Sequence, residues 1–183
     1  HKSKPFFCEN PNYSVFPEKN EGAEEISRNT EYTEDDRKNR IVGGTLYLVT
    51  TPIGNLADLS DRAKKTLAGV DFVAAEDTRN SAKLLTLLGI HKPMVSYFEH
   101  NKRELGEVIC ERLRGGESCA LVTDAGMPGI SDPGEDIVRL CAERNIPVTA
   151  VPGPCAAVTA LTLSGLFTAR FAFEGFLSTN RGE

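Results

Sequence analysis

The spacing of apolar residues changes character near residue 44. Before it, hydrophobic positions are sparse and follow neither a helical nor a strand period. Residues 1–40 hold nine of them, against seven basic and nine acidic side chains. Such a stretch lacks the apolar surface to offset the entropy of ordering, so 1–43 is expected to be a flexible tail. From Gly44 onward, short β-branched runs alternate with longer segments of helical period. Thr45–Thr50 (TLYLVT), Val70–Ala75 (VDFVAA), Met94–Phe98, Cys119–Thr123 (CALVT) and Pro147–Val151 read as buried strands. Helices are predicted from a Ser60 cap to Gly69, from Asn80 to Leu88 with Gly89 as the stop, from Lys102 to Arg114, and from Glu135 to Arg144. Pro154 suits the first turn of a last helix ending near Ser164, and Arg170–Leu177 reads as one more strand. The alternation implies right-handed crossovers and an α/β fold: a mainly parallel five-stranded sheet flanked by helices.

Composition changes this picture little. The 183 residues are 40% hydrophobic and 26% charged, enough for a sizeable core without disulfides or metals. The net charge of −5 argues against a basic coat that grips any nucleic acid. Five cysteines, none in a C-x-x-C pair, and three histidines without ligand spacing predict no metal site. Such cysteine usage suits a reduced, cytoplasmic protein. No apolar run approaches the ~18 residues of a membrane span, and the first residues show no signal-peptide pattern.

The chemistry lies on one edge. In open α/β sheets, ligands bind beyond the carboxyl ends of the strands. The loops expected there are Thr51–Asn55, Glu76–Arg79, Glu99–Asn101, Asp124–Gly134 and Pro152–Cys155. Asp124–Gly134 (DAGMPGISDPG) packs three glycines, two prolines and two aspartates into one loop, which suits close backbone approach to a polar ligand. Five of the seven prolines after residue 40 (Pro52, Pro128, Pro133, Pro152 and Pro154) fall in these loops, as a preorganised rim would require. Glu76 and Asp77 suit either a ribose contact or the acid that a helix N-terminus favours. Neither the G-x-G-x-x-G turn nor a P-loop is present, which weighs against a dinucleotide oxidoreductase. His100, beside Glu99, is the best-placed titratable base. Arg79, Lys83, Lys102 and Arg103 offer either a phosphate-binding rim or a solvated helix surface. Cys110 and Cys141 fall on apolar helix faces and read as core.

Six motifs occur in order: LYLVTTPIGNLADLSDRA, AAEDTRNSAKLL, SYFEHN, LVTDAGMPGISDPG, PGPCAA and FEGFL. From Gly44 to Leu177 the chain therefore resembles the ribosomal RNA small subunit methyltransferase I family, a branch of the tetrapyrrole methylase superfamily. That resemblance implies S-adenosylmethionine-dependent 2′-O-methylation of a cytidine ribose in 16S rRNA, with the methyl donor held between two α/β lobes. It implies donor contacts at Pro52 and Gly54, at Asp124, Ala125, Gly126, Pro128, Ile130, Ser131 and Asp132, and at Pro154 and Cys155. The ribose hydroxyl must lose its proton, for which Asp77, Glu99 and His100 are the candidate catalytic groups. Cys155 stands where the family commonly has Ser, and Met127 where Thr is common. The expected organisation is the tail, a first lobe over 44–167, and the first strand and stub of a truncated second lobe over 168–183. A chain so divided is expected to be inactive alone. Expected partners are 16S rRNA in the small ribosomal subunit and, for the full-length protein, a second copy of itself. A tetrapyrrole methylase and a non-enzymatic ribosome-binding module are the alternatives to this reading.

Overall fold

The computed structural model describes residues 39–176. Residues 1–38 and 177–183, which hold most of the expected tail and the end of the expected stub, lie outside the described residues. The elements run β1 Leu46–Val49, α1 Asp61–Gly69, β2 Phe72–Ala75, α2 Thr78–Leu87, β3 Met94–Ser96, α3 Lys102–Arg114, β4 Cys119–Val122, α4 Glu135–Glu143, β5 Val148–Val151 and α5 Ala156–Leu163. All pairings in the sheet are parallel and the order is β3-β2-β4-β1-β5.

Alternation along each strand sorts the core into two layers. Leu46, Phe72, Ala74, Cys119, Leu121 and Val148 face α3 and α4, where Ile109, Cys110, Leu113, Ile137 and Cys141 complete the layer. Tyr47, Val49, Val73, Ala75, Ala120, Val122 and Val151 face α1 and α2, where Ala63, Leu67 and Leu85 close over them. The strands are thus covered on both faces, which is why they read as continuous apolar runs. β4 sends its chain to one layer while its neighbours β1 and β2 send theirs to the other. In open α/β sheets such a divergence marks where ligands bind, here the carboxyl end of β4.

Local chemistry sets the ends. Ser60 accepts a hydrogen bond from the Ala63 amide at 3.1 Å and starts α1. At the opposite edge of the sheet, the Asp71 carboxylate accepts from the Ser118 amide and hydroxyl, both at 2.7 Å, tying β2 to β4.

Three details depart from the sequence reading. Residues 170–176 form no strand, because among the described residues no neighbouring edge supplies the ladder that a strand needs; Leu177 lies outside the described residues. Pro154 precedes α5 rather than opening it, because the chain stays extended through Cys155, the N-cap. Within the segment assigned to the tail, Ile41 packs on the α1–α2 layer and the Val42 amide donates to the Tyr47 hydroxyl at 2.8 Å.

Candidate functional site

Three loops meet beyond the carboxyl ends of β1, β4 and β5. The Thr51 amide donates to the Gly126 carbonyl at 3.0 Å, and the Gly126 amide returns to the Thr51 carbonyl at 3.2 Å. The Thr51 hydroxyl donates to the Thr123 carbonyl at 3.0 Å. Gly126 has φ +89°, and a Cβ placed there would face Ile53 Cγ2 at 3.6 Å and the Pro154 carbonyl oxygen at 4.0 Å. One glycine therefore marks the junction of all three loops. The Thr50 hydroxyl lies 3.0 Å from both the Val151 carbonyl and Met127 Sδ, so Met127 is anchored at the same junction. The far end of the β4 loop closes on itself. A Cβ on Gly134, at φ +152°, would lie 2.8 Å from the Gly129 nitrogen and 3.2 Å from Leu121 Cδ2. Ser131 sits in the left-handed region at φ +57°, a strained conformation for a residue with a Cβ.

The residues expected to hold a methyl donor all lie in these three loops, in graded exposure. Pro128 is buried; Pro52, Asp132, Pro154 and Cys155 are half-buried; Gly54, Asp124, Ala125, Ile130 and Ser131 are exposed. Asp124 accepts a hydrogen bond from Asn80 Nδ2 at 2.9 Å, which joins the loop to α2.

The acids divide into two kinds. Asp77 caps α2, accepting from the Arg79 amide at 2.8 Å and from its guanidinium at 2.8 and 3.1 Å. Those bonds hold its carboxyl down at about 2. Glu76 is the opposite case. Burial, then the charges of Asp132 and Asp124, push its carboxyl above the usual range, although the Asp124 amide donates to it. Asp132 is pushed up by burial and by Asp124. Glu76, Asp124 and Asp132 thus share one field. Thr123, next to them at the end of β4, keeps a buried hydroxyl with no hydrogen-bond partner.

Glu99 and His100 are exposed on the loop after β3. Glu99 pairs with Lys102 at 2.7 Å, and Lys102 also reaches Asp136 at 2.6 Å in the first turn of α4. This bridge brings the β3 loop to the end of the Asp124–Gly134 loop. His100 meets Phe98 edge-on, with centroids 6.2 Å apart. The sequence reading had no reason to choose Glu76 over Asp77, and it missed Thr123. The available signal was the strand alternation. Phe72, Ala74 and Glu76 fall on one face, and Thr123 is a polar residue closing an otherwise apolar strand.

The profile of the family described as Tetrapyrrole (Corrin/Porphyrin) Methylases matches residues 45–182. The chain belongs to this methylase family. Among relatives, it is 53% identical over 136 residues to a ribosomal RNA small subunit methyltransferase I of Synechocystis, covering 74% of this chain and 49% of that one. A protein of the same name from Halalkalibacterium halodurans is 50% identical over 145 residues, covering 79% and 50%. This methylase chain spans about half the length of the curated relatives it matches. The solved uroporphyrin III C-methyltransferase of Thermus thermophilus shares its fold, with a TM-score of 0.51 and 21% identity over 63% of this chain and 51% of that one. Among the described residues, no helix of the methylase is long and apolar enough to cross a membrane.

Proposed function

We propose that this chain is the donor-binding lobe of an S-adenosylmethionine-dependent methyltransferase that methylates the 2′-hydroxyl of a cytidine ribose in 16S rRNA. The observation that carries the reading is the level of identity. About half of the aligned positions agree with proteins named for small-subunit rRNA methylation, against 21% for the uroporphyrin enzyme of similar fold.

The residues present fit such a donor. Its sulfonium and ammonium charges suit the field of Glu76, Asp124 and Asp132, and the unpartnered Thr123 hydroxyl offers a buried polar contact. The bound donor supplies an electrophilic methyl group. Around it, the backbone of Gly126, Ala125 and Pro128 and the side chains of Pro52, Ile130, Ser131, Pro154 and Cys155 bind and orient. Gly54 leaves the rim open. Positioning alone supplies much of the rate for an activated donor.

The ribose hydroxyl needs a proton acceptor. Asp77, kept ionised by Arg79, is a weak acceptor and serves as a fixed charge. Glu99 orients Lys102. His100, exposed on the same loop, takes the proton. The partners that follow from this reading are the small ribosomal subunit and, in the full-length protein, a second copy of the chain, in the cytoplasm.

Mass mapping of 16S rRNA with and without the intact gene tests the proposal. Loss of one ribose methyl group from one cytidine is the expected result. Unchanged rRNA, together with methylation of uroporphyrinogen by the purified protein, would move the substrate to the tetrapyrroles that the family is named for.

A further inference from the structure

Helices α3 and α4 pack side by side in the same direction. Near their starts, Lys102 pairs with Asp136. Arg144, just past the end of α4, pairs with Glu107 midway along α3. Nearly one turn beyond Glu107 on α3, Cys110 Sγ lies 3.8 Å from Cys141 Sγ on α4, both at 0% exposure. They are 31 positions apart in sequence and belong to different helices. Packing does not require two thiols here, since any small apolar pair fills a helix interface. Nor does the proposed methyl transfer use them, since they sit in the core layer beneath the sheet.

We propose that Cys110 and Cys141 are a redox modification site, oxidised by a small hydroperoxide to a disulfide that staples α3 to α4. The gap of 3.8 Å must close to about 2.05 Å, a movement of less than 2 Å shared between two helices. Access comes from the end of α4. Cys141 lies in its last turn, and Asn145, just beyond it, holds a left-handed φ of +55°. Helix ends open locally at low cost, and a peroxide is small enough to enter such an opening.

The electronics favour Cys110 as the first to react. The hydrogen bond the two thiols share, in which either can donate, and then the positive charge of Arg144 lower the Cys110 thiol against its burial, while Cys141 is pushed up. Cys119, pushed up to about 12 by burial, is a poorer nucleophile in the same layer. In the first step the Cys110 thiolate attacks one peroxide oxygen, the O–O bond breaks, and hydroxide leaves to take up a proton as water. In the second, the Cys141 thiolate attacks the sulfur of the Cys110 sulfenic acid, forms the S–S bond and expels hydroxide, which becomes the second water. Two thiols are oxidised by two electrons and one peroxide is reduced to two waters. The inference is independent of which substrate the methylase modifies.

The test uses the chain as it stands. Folded protein is treated with hydrogen peroxide at neutral pH, free thiols are blocked with iodoacetamide, and intact mass and non-reduced peptides are measured. The expected product has lost two hydrogens, yields one linked peptide pair joining Cys110 and Cys141, and reverts with dithiothreitol. Its thermal midpoint should exceed that of the reduced protein by a few degrees, since the bond restricts the unfolded chain. Cys141→Ala should instead accumulate a Cys110 sulfenic acid that dimedone traps. If both thiols remain fully alkylatable while Cys155 is oxidised, or if they gain oxygen without linking, the proposal is wrong. Peptide mapping of the wild-type chain decides this whether or not the variant folds.

Discussion

Glu76 shows what one position on a strand decides. It lies next to Asp77 in sequence, yet the two carboxyls shift in opposite directions. Asp77 meets a guanidinium and the amides of a helix start. Glu76 meets burial and two other acids. A carboxyl whose folded pKa is raised binds its proton more tightly in the folded state. Its favourable contribution is complete below the unfolded value near 4.5 and is lost as pH rises through the folded value. At neutral pH the ionised Glu76 therefore costs stability. Glu76→Gln keeps an oxygen for the Asp124 amide and removes the charge. The variant should match wild type near pH 4 and exceed it at pH 7. At a half-buried, solvent-screened position the gain is about 0.5 kcal/mol. Melting curves at the two pH values check the sign, and a less stable variant at pH 7 would refute the account. The sequence placed both acids on the right edge because strand ends can be read from apolar runs. It could not rank them, because the ranking depends on Asp124 and Asp132, which arrive from another strand.

The same limit appears at the scale of elements. All five strands and α3 were legible, since their apolar runs and stops are strong signals, and the Ser60 cap formed as its chemistry predicts. What periodicity cannot contain is pairing. The order β3-β2-β4-β1-β5 depends on which edges meet, and residues 170–176, despite their apolar run, find no strand partner among the described residues. Two substitutions test the joints between elements. Asp71→Ala removes the two hydrogen bonds that its carboxylate accepts from Ser118 and leaves the buried Ser118 amide without that partner, while the backbone amide at position 71 still donates to the Ser118 hydroxyl. A loss of about 1–2 kcal/mol is expected in denaturant titration. The Asp71 carboxyl is held low by Ser118, so the difference from wild type should be complete above the ordinary value of 3.8 and fade in more acid solution. Gly134→Ala meets two obstacles together, a left-handed φ and the Gly129 nitrogen at 2.8 Å. It should cost about 2–3 kcal/mol and raise amide exchange through the Asp124–Gly134 loop. Ordinary stability with unchanged exchange would show that the loop relaxes without strain.

At the scale of the whole molecule, the described chain is unevenly finished. The β-sheet is sealed by helices on both faces, but the segment from α5 onward buries little. Leu163, Phe167 and Phe176 are 81%, 79% and 83% exposed, and Leu166, Phe171 and Phe173 are exposed as well. Phe173 and Phe176 touch edge-on, with centroids 6.4 Å apart, and all six side chains fall within fourteen residues of chain. Single exposed apolar residues are common on proteins, whereas a run of this kind favours association. A net charge of −5 on 183 residues opposes it weakly at physiological salt. The chain alone should therefore self-associate with rising concentration under reducing conditions, as sedimentation velocity would show. Leu163→Glu combined with Phe167→Glu should return it to a monomer. The thermal midpoint should shift by no more than about 2 °C, because neither side chain contributes to the core. A wild-type chain that stays monomeric at high concentration would mean that these residues fold back on the lobe in solution. A double variant that loses many degrees would mean that they pack.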